Sequence, residues 1–256
     1  SHHLPLGLDG IVAQGIGERI AVAADAVLAP LSYWAVGGVP YPYTLNLPPE
    51  VIEPLLVAVF EQFAVMGFRV IVGFTGHFGL DQTLTLKRAA LAVMRRAPVN
   101  ILAATEYDLT TDIGFLGDHA GIGETSLLWA LRPDLVRLDA VAPDAPLDGV
   151  IGTDPRGAAS IEMGQRLLDD IAGRTAQVAL RLLRDTTPLQ RADYLEALAA
   201  GVRVLEKTAH QRQIMPRSAV PSISTEAWLA HCQAIHAGDY RAARAHAERK
   251  LADLSA

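Results

Sequence analysis

Cysteine, long apolar runs and excess positive charge are scarce in this sequence, and each shortage excludes a class of protein. The single cysteine, Cys232, leaves no internal disulfide framework and suits a reducing compartment. No apolar run reaches the roughly 18–20 residues of a membrane-spanning helix, and no signal peptide is recognisable. The net charge of −6 argues against nucleic acid or an anionic membrane as the main partner. We therefore expect a soluble, cytoplasmic protein with neither of those partners.

Several common catalytic motifs are also missing from the sequence. No Gly-x-Ser-x-Gly pattern marks a nucleophilic serine, and Cys232 lies far along the chain from the other candidate residues. There is no Walker A sequence, and the Gly15–Gly17 stretch lies inside a predicted helix instead of between a strand and a helix. The chemistry must therefore come from other residues.

What the sequence does contain is an alternation of strand and helix patterns over its first 186 residues. Short apolar runs predict the strands, and longer runs with helical spacing predict the helices. The predicted strands are Ala26–Ser32, Phe68–Phe74 and Val99–Thr105, and the helices are Ile11–Ala24, Pro48–Met66, Leu80–Arg96 and Glu124–Leu131. This order predicts an α/β fold: a layered α/β/α arrangement with a mainly parallel sheet.

After the last predicted strand the sequence becomes helical throughout. We assign Ala158–Leu183 as the final helix of an α/β domain that spans residues 1–186, and residues 187–256 as a helical extension. The extension holds His231, His236 and His246, which we expect on helix surfaces without a ligand role.

Three residues at the edges of predicted elements have the chemistry of metal ligands: Asp9, His77 and Glu124. A mixed oxygen and nitrogen set suits Zn²⁺, Mn²⁺ or Fe²⁺. Each residue also has a simpler interpretation. Asp9 can cap the helix that it opens, and Glu124 can be a first-turn acid. His77 is harder to explain in this way, because the glycines beside it give no packing reason for an imidazole.

His119, five residues before Glu124, is the candidate catalytic residue. A hydrolase that uses a metal-activated water needs a group that carries a proton to the leaving atom, and an imidazole titrates in the right range. Asp118 can orient it, although the side chains of adjacent residues often point apart. The alternative is a loop histidine without a role.

Taken in order, three stretches resemble the creatininase (creatinine amidohydrolase) family. The family's first motif, Glu-x-His-Gly-x-His-Leu-Pro-x-x-x-Asp, is matched in its second half by Ser1–Asp9. Its second motif, Asn-Gly-His-Gly-Gly-Asn, is matched loosely by Thr75–Asp81, and the third, His-Ala-Gly-x-x-Glu-Thr-Ser, closely by His119–Ser126. Tyr41–Thr44 resembles the family's Phe-Pro-Gly-Thr, and Asp154–Arg156 its Asp-Pro-Arg.

The resemblance implies a hydrolase with two divalent metal ions per chain (Zn, Mn or Fe), often assembled as a homo-hexamer that acts on a small-molecule substrate. Asp9 matches the aspartate that bridges both ions, and His77 and Glu124 each match a ligand of one ion. His119 matches the catalytic histidine. Three aromatic residues are the candidate substrate contacts: Tyr107, near the position of a mobile family tryptophan, Tyr43 and Phe78.

The chain departs from the family pattern in front of Ser1, where the Glu-x-His of the first motif is absent. We expect a longer natural polypeptide that carries a first strand and those two ligands upstream. Without them, only His2 or His3 remains to substitute.

The expected reaction is hydrolysis of a C–N bond in a small cyclic or formyl amide, with a metal-activated water as nucleophile. The same site chemistry serves hydrolytic C–C cleavage of a cyclic polyhydroxy-ketone, as in inositol catabolism. A third alternative is a non-catalytic family member with a degraded site.

Overall fold

A computed structural model describes residues 1–39, 44–113, 115, 117–215 and 224–255 of the chain. The predicted substrate contact Tyr43 lies outside these residues. The strands are β1 (Val70–Thr75) and β2 (Asn100–Thr105). The helices are α1 (Leu8–Ala24), α2 (Pro49–Val65), α3 (Leu80–Arg96), α4 (Ile122–Leu131), α5 (Ile161–Arg184), α6 (Pro188–Ile214), α7 (Glu226–Ala237) and α8 (Tyr240–Asp253).

The two strands pair in parallel, in a register that aligns Val70 with Asn100 and Thr75 with Thr105. Both are rich in aliphatic side chains, and every residue of β2 is buried, as expected for a parallel strand covered on both faces. The crossover between them is α3, and α1, α3 and α5 pack against the strands. The predicted α/β fold with a parallel sheet and C-terminal helices is confirmed.

The strand predicted over Ala26–Ser32 is wrong. The segment has no regular secondary structure, and Val27 is 78% exposed. Pro30 removes one backbone donor from any ladder the segment could form. An apolar surface segment and a buried strand look alike over seven residues, so only the tertiary contacts separate them.

The helical extension packs on the α/β part of the chain and shares its core. Tyr194 and Val202 of α6 are buried in one cluster with Val93 of α3 and Ile101 of β2. The Tyr194 hydroxyl donates to the backbone oxygen of Ile101 at 2.8 Å. The Arg191 guanidinium donates to three backbone oxygens at and beyond the end of α3. The domain boundary near residue 186 stays a prediction, and the hydrophobic core continues across it.

His231 does not lie on a helix surface, and that expectation was wrong. The side chain is 6% exposed, its ring stacks on Trp228, and Nδ1 donates to the backbone oxygen of Ala243 at 2.8 Å. Burial disfavours the charged imidazolium and lowers the pKa of His231 to about 4. Helical periodicity could not reveal this, because α7 is covered on that side by α8.

The pKa of His231 makes stability depend on pH. Below pH 6.5 the unfolded chain binds a proton at His231, whereas the folded chain binds it only near pH 4. Stability is therefore lost as the pH falls through this window, by about 3 kcal/mol from this residue. We expect His231→Phe to flatten the pH dependence of the unfolding free energy between pH 7 and 4.5, measured by urea denaturation. The same slope in both proteins would contradict it.

Among the helices that the structure describes, none combines the length and the apolar character that a bilayer crossing requires.

Candidate metal and active site

His77 lies just beyond the carboxyl end of β1 and contacts Asp9 at the start of α1. The distance from His77 Nδ1 to Asp9 Oδ2 is 3.2 Å. Thr75 fixes the backbone of this turn, because its hydroxyl donates to the His77 carbonyl at 3.0 Å and accepts from the His77 amide at 3.2 Å. His77 Nε2 is buried and has no hydrogen-bond partner. One ring nitrogen therefore faces a carboxylate while the other is free to bind a ligand.

Asp9 does not cap its helix. The N-cap residue of α1 is Gly7, with φ at 82°, and no side chain caps the helix. The helix start instead lies directly against the turn after β1. A Cβ atom on Gly76 would come within 2.3 Å of the Asp9 carbonyl oxygen, so only glycine permits this approach. The absence of a side chain at residue 76 thus lets Asp9 reach His77.

Glu124 occupies the first turn of α4 and is 5% exposed. Its Oε2 accepts a hydrogen bond from the Ala120 amide at 2.7 Å. Burial raises the pKa of Glu124 well above its usual range, and the negative charges of Asp9 and Glu106 act in the same direction. Glu124 is thus a first-turn acid, as its simpler interpretation has it, and the charges of Asp9 and Glu106 also act on its carboxyl group.

The Asp118 carboxylate accepts hydrogen bonds from the backbone of α4. These bonds do not direct it to His119. Its Oδ2 accepts from the Gly123 amide at 2.6 Å, and its Oδ1 accepts from the Glu124 amide at 3.1 Å. The two oxygens satisfy backbone donors that the first turn of a helix leaves unpaired. Asp118 therefore holds Glu124 in place by fixing the helix on which it sits.

Glu106, directly after β2, is the site residue that the sequence reasoning missed. Its side chain is 1% exposed, and Oε2 has no hydrogen-bond partner. Burial raises the pKa of Glu106 well above its usual range, and the charges of Asp9 and Asp118 raise it further. A signal for it existed in the sequence, since a charged residue ends the apolar run of β2 at the edge where ligand sites lie.

His119 is held by its backbone, which exchanges two 2.8 Å hydrogen bonds with Ile151. Burial lowers the pKa of the His119 imidazole, and the Asp9 charge partly opposes that shift. The charge of His77 lowers this pKa as well. His119 is therefore close enough to Asp9 and His77 for their charges to act on it.

The aromatic candidates are placed differently from one another. Phe78 packs against Gly117, where an added Cβ would lie 2.5 Å from the ring. Tyr107 is buried in a cluster with Leu205 and Trp228 of the helical extension, and its hydroxyl lies 2.9 Å from Ser224 Oγ. This position fixes Tyr107 against the extension and gives no support to a substrate contact.

The two histidines near the N-terminus stay apart from the site. His3 is fully buried and its Nε2 lies 3.0 Å from Thr125 Oγ1, which ties the first residues to α4. His2 is exposed. Neither lies in contact with Asp9 or His77 in the described contacts.

Within the described part of the chain, no three His, Cys, Asp or Glu side chains lie close enough together to hold a metal ion. The donor chemistry nevertheless fits a divalent cation. Glu106 and Glu124 are buried, and neighbouring carboxylates raise the pKa of each. Two buried donor atoms, His77 Nε2 and Glu106 Oε2, lack partners. A cation would offset the mutual repulsion of these groups.

A cavity of about 1420 Å³ reaches this group of residues. Asp9, His77 and His119 line one part of it, and the remaining walls come mainly from apolar residues of α1, α2 and β1. Exposed Tyr33 and Trp34 stand at its rim. The space is large enough to admit a small molecule to the polar group.

These features define an α/β protein whose histidine and carboxylate side chains gather at the carboxyl ends of parallel strands. Residues 1–179 match the family described as creatininase, creatinine amidohydrolase. The chain belongs to the creatininase family.

Comparison with individual proteins agrees with this. A creatinine amidohydrolase of Pseudomonas putida is 28% identical over 170 residues, which cover 57% of this chain and 65% of that protein. This chain thus matches about 65% of that relative's length. A creatininase variant complexed with creatine superposes with a TM-score of 0.59 at 22% identity, covering 72% of this chain and 87% of that one. A second creatininase variant gives 0.58 at 22% identity, with 71% and 86% covered. These structures show the same fold.

Proposed function

We propose that the protein is a metal-dependent hydrolase that cleaves a C–N bond of a small cyclic or formyl amide. The observation that carries the proposal is the contact between His77 and Asp9, whose charge also acts on the buried carboxyl groups of Glu124 and Glu106. Membership of the creatininase family supports it. The buried imidazole nitrogen of His77 and the buried carboxylate oxygen of Glu106 have no hydrogen-bond partner, which supports the binding of a ligand here.

Asp9, His77 and Glu124 would hold the metal. Bound there, a divalent ion would supply Lewis-acid chemistry, acidifying a water and polarising a carbonyl. His119 accepts the proton that the attacking water gives up and donates it to the leaving nitrogen. Gly76 and Thr75 position His77, and Asp118 positions Glu124 through α4.

The finer features of the proposal follow the family resemblance. We infer two divalent ions per chain, drawn from Zn, Mn and Fe, a homo-oligomer with the hexamer as the expected form, and a cytoplasmic location. The surface of α2 supports assembly, because Val51, Leu55 and Val59 are all more than a third exposed along it. A screen of lactams and formamides, with diketo-inositols in parallel, tests the C–N reaction against C–C cleavage.

Divalent metal is expected to stabilise the protein strongly. A ligand at 100 times its Kd adds about 2.7 kcal/mol to the free energy of unfolding, which for a chain of this size corresponds to a rise in Tm of about 5–10 °C. The measurement is thermal unfolding of EDTA-treated protein with and without Zn²⁺ or Mn²⁺, together with metal content by mass spectrometry.

The variants Asp9→Asn and His77→Ala are expected to remove most of this shift. His2→Ala is the matched control, because it deletes an exposed imidazole from the same end of the chain. Protein without metal after gentle purification, and with no shift on adding it, would contradict the enzyme and favour the non-catalytic alternative.

A further inference from the structure

The stretch Asp154–Arg156 is a motif that the proposed function does not use. The Arg156 guanidinium binds the Asp154 carboxylate through Nε and Nη2, with Nη2 2.6 Å from Oδ2. Its Nη1 donates, at 2.7–2.9 Å, to three backbone oxygens of a neighbouring loop: those of Ala142, Pro143 and Ala145. A planar group with its donors in a fixed fork can satisfy such a set at once. Arg156 therefore ties two loops together.

The residues just before this motif hold the backbone of His119. Ile151 exchanges two 2.8 Å hydrogen bonds with His119. The Thr153 carbonyl accepts a hydrogen bond from the amide of Ile122, the first residue of α4, at 3.1 Å. The segment 151–153 is thus bonded both to His119 and to the start of the helix that follows it.

Gly152 brings the same segment against Asp118. Its φ of 116° lies in the region that favours glycine, and an added Cβ would come within 2.8 Å of the Asp118 Cβ. The Asp118 carboxylate in turn accepts from the first turn of α4. The segment 151–153 therefore contacts the chain on both sides of His119.

The segment has little regular structure of its own. Residues 141–160, all of them described by the structure, contain turns and one isolated bridge but no helix or strand. Ile151 is 47% exposed, and only Pro155 of residues 151–156 is buried. A loop with few buried apolar contacts opens at a small cost in free energy. The hydrogen bonds of Arg156 are therefore a main source of its order.

We propose that Arg156 is a positioning residue for His119. Its bonds to Asp154 and to the loop 142–145 fix the segment 151–153, and that segment fixes the backbone from which the imidazole reaches the site. The inference rests on the proposed function, in which His119 transfers the proton. Loss of the guanidinium would release both loops and displace the imidazole without removing a proposed metal ligand.

The kinetic test is the variant Arg156→Ala. We expect kcat to fall by about 10–10²-fold, the effect of misplacing a reacting group by about 1 Å. KM should stay near its original value, because the cavity walls are unchanged. Guanidinium chloride, at concentrations too low to unfold the protein, should restore part of the lost kcat, because it replaces the missing donors. A purely stabilising role predicts the opposite, since guanidinium destabilises folded proteins.

Amide hydrogen exchange gives a second measurement, which needs no substrate. In Arg156→Ala the amides of His119 and Ile151 should exchange faster by about 10–100-fold, the factor to which one hydrogen bond of a charged group corresponds. The amides of β2 in the core should keep their protection. Arg132→Ala is the matched control, since Arg132 makes the same kind of bidentate pair with Asp134 and has no described contact with residues 151–156. It should change neither kcat nor the exchange at His119.

Unchanged exchange at His119 and Ile151 in Arg156→Ala overturns the inference, whatever the activity, and so does an unchanged kcat. Where the alanine variant does not fold, Arg156→Lys takes its place under the same criteria, because it keeps the charge and loses the fork. If exchange accelerates but the unmutated protein hydrolyses no amide of the screen, the proposed function fails, and the role of Arg156 in catalysis fails with it.

Discussion

Replacing His119 by alanine is expected to reduce turnover by about 10²–10⁴-fold, the usual contribution of a positioned acid–base group. The expectation follows from the position of the residue, which shares the electrostatic environment of Asp9 and His77 without a described contact to Glu124. The measurement is kcat on whichever amide the substrate screen identifies. Metal content should stay at the level of the unmutated protein, because His119 is not among the proposed ligands.

Two further variants separate a proton-transfer role from a structural one. His77→Ala should lose both turnover and metal, because it removes a proposed ligand. His2→Ala should change neither, because its side chain is exposed and lies outside the site. Loss of metal from His119→Ala would show that His119 is a ligand, and the role assigned to it would be wrong.

Most elements of the fold could be predicted because their signals are local. The bounds of α3 agree at both ends with the apolar spacing over Leu80–Arg96, and α2 and α6 both begin at a proline, whose fixed φ suits a first turn. The strand predicted over Ala26–Ser32 was wrong because a short apolar run forms a strand only where a neighbouring strand pairs with it. No local pattern reveals that neighbour.

The candidate site was predictable to the extent that topology fixes it. His77 follows β1, and Asp9 lies in the first turn of α1, and both were expected at the carboxyl ends of the strands; the two side chains do make contact. The orientation of the side chains that directly follow β2 could not be predicted. Tyr107 and Glu106 are adjacent, and only the tertiary packing decides that the Tyr107 ring joins the cluster of the extension while the Glu106 carboxyl group is buried without a hydrogen-bond partner.

Ending the chain after Thr186 is expected to abolish cooperative folding. The deletion removes α6, α7 and α8, which supply Tyr194 and Val202 to the main hydrophobic core. Each fully buried side chain of this kind contributes about 1.5–3 kcal/mol, and a domain has only about 5–15 kcal/mol of net stability. The loss of several such contacts exceeds that margin. Thermal unfolding followed by circular dichroism should show no transition in the shortened chain.

The hydrogen bonds across the boundary strengthen this expectation. Arg191 donates to the carbonyl groups of Met94, Ala97 and Val99, and without it these acceptors at the end of α3 lose a charged partner. The Ile101 carbonyl of β2 loses the Tyr194 hydroxyl. The amino end of β2 would therefore lose its support together with the core.

A chain that ends at Leu254 is the matched control, because it keeps α6 to α8 and the buried Leu254, whose backbone oxygen accepts from Gln211. It should unfold at the Tm of the full chain. A chain shortened after Thr186 that retains a cooperative transition and binds metal would show that residues 1–186 fold by themselves. The extension would then be free to act in assembly or over a neighbouring active site, and light scattering on the shortened protein would separate these two roles.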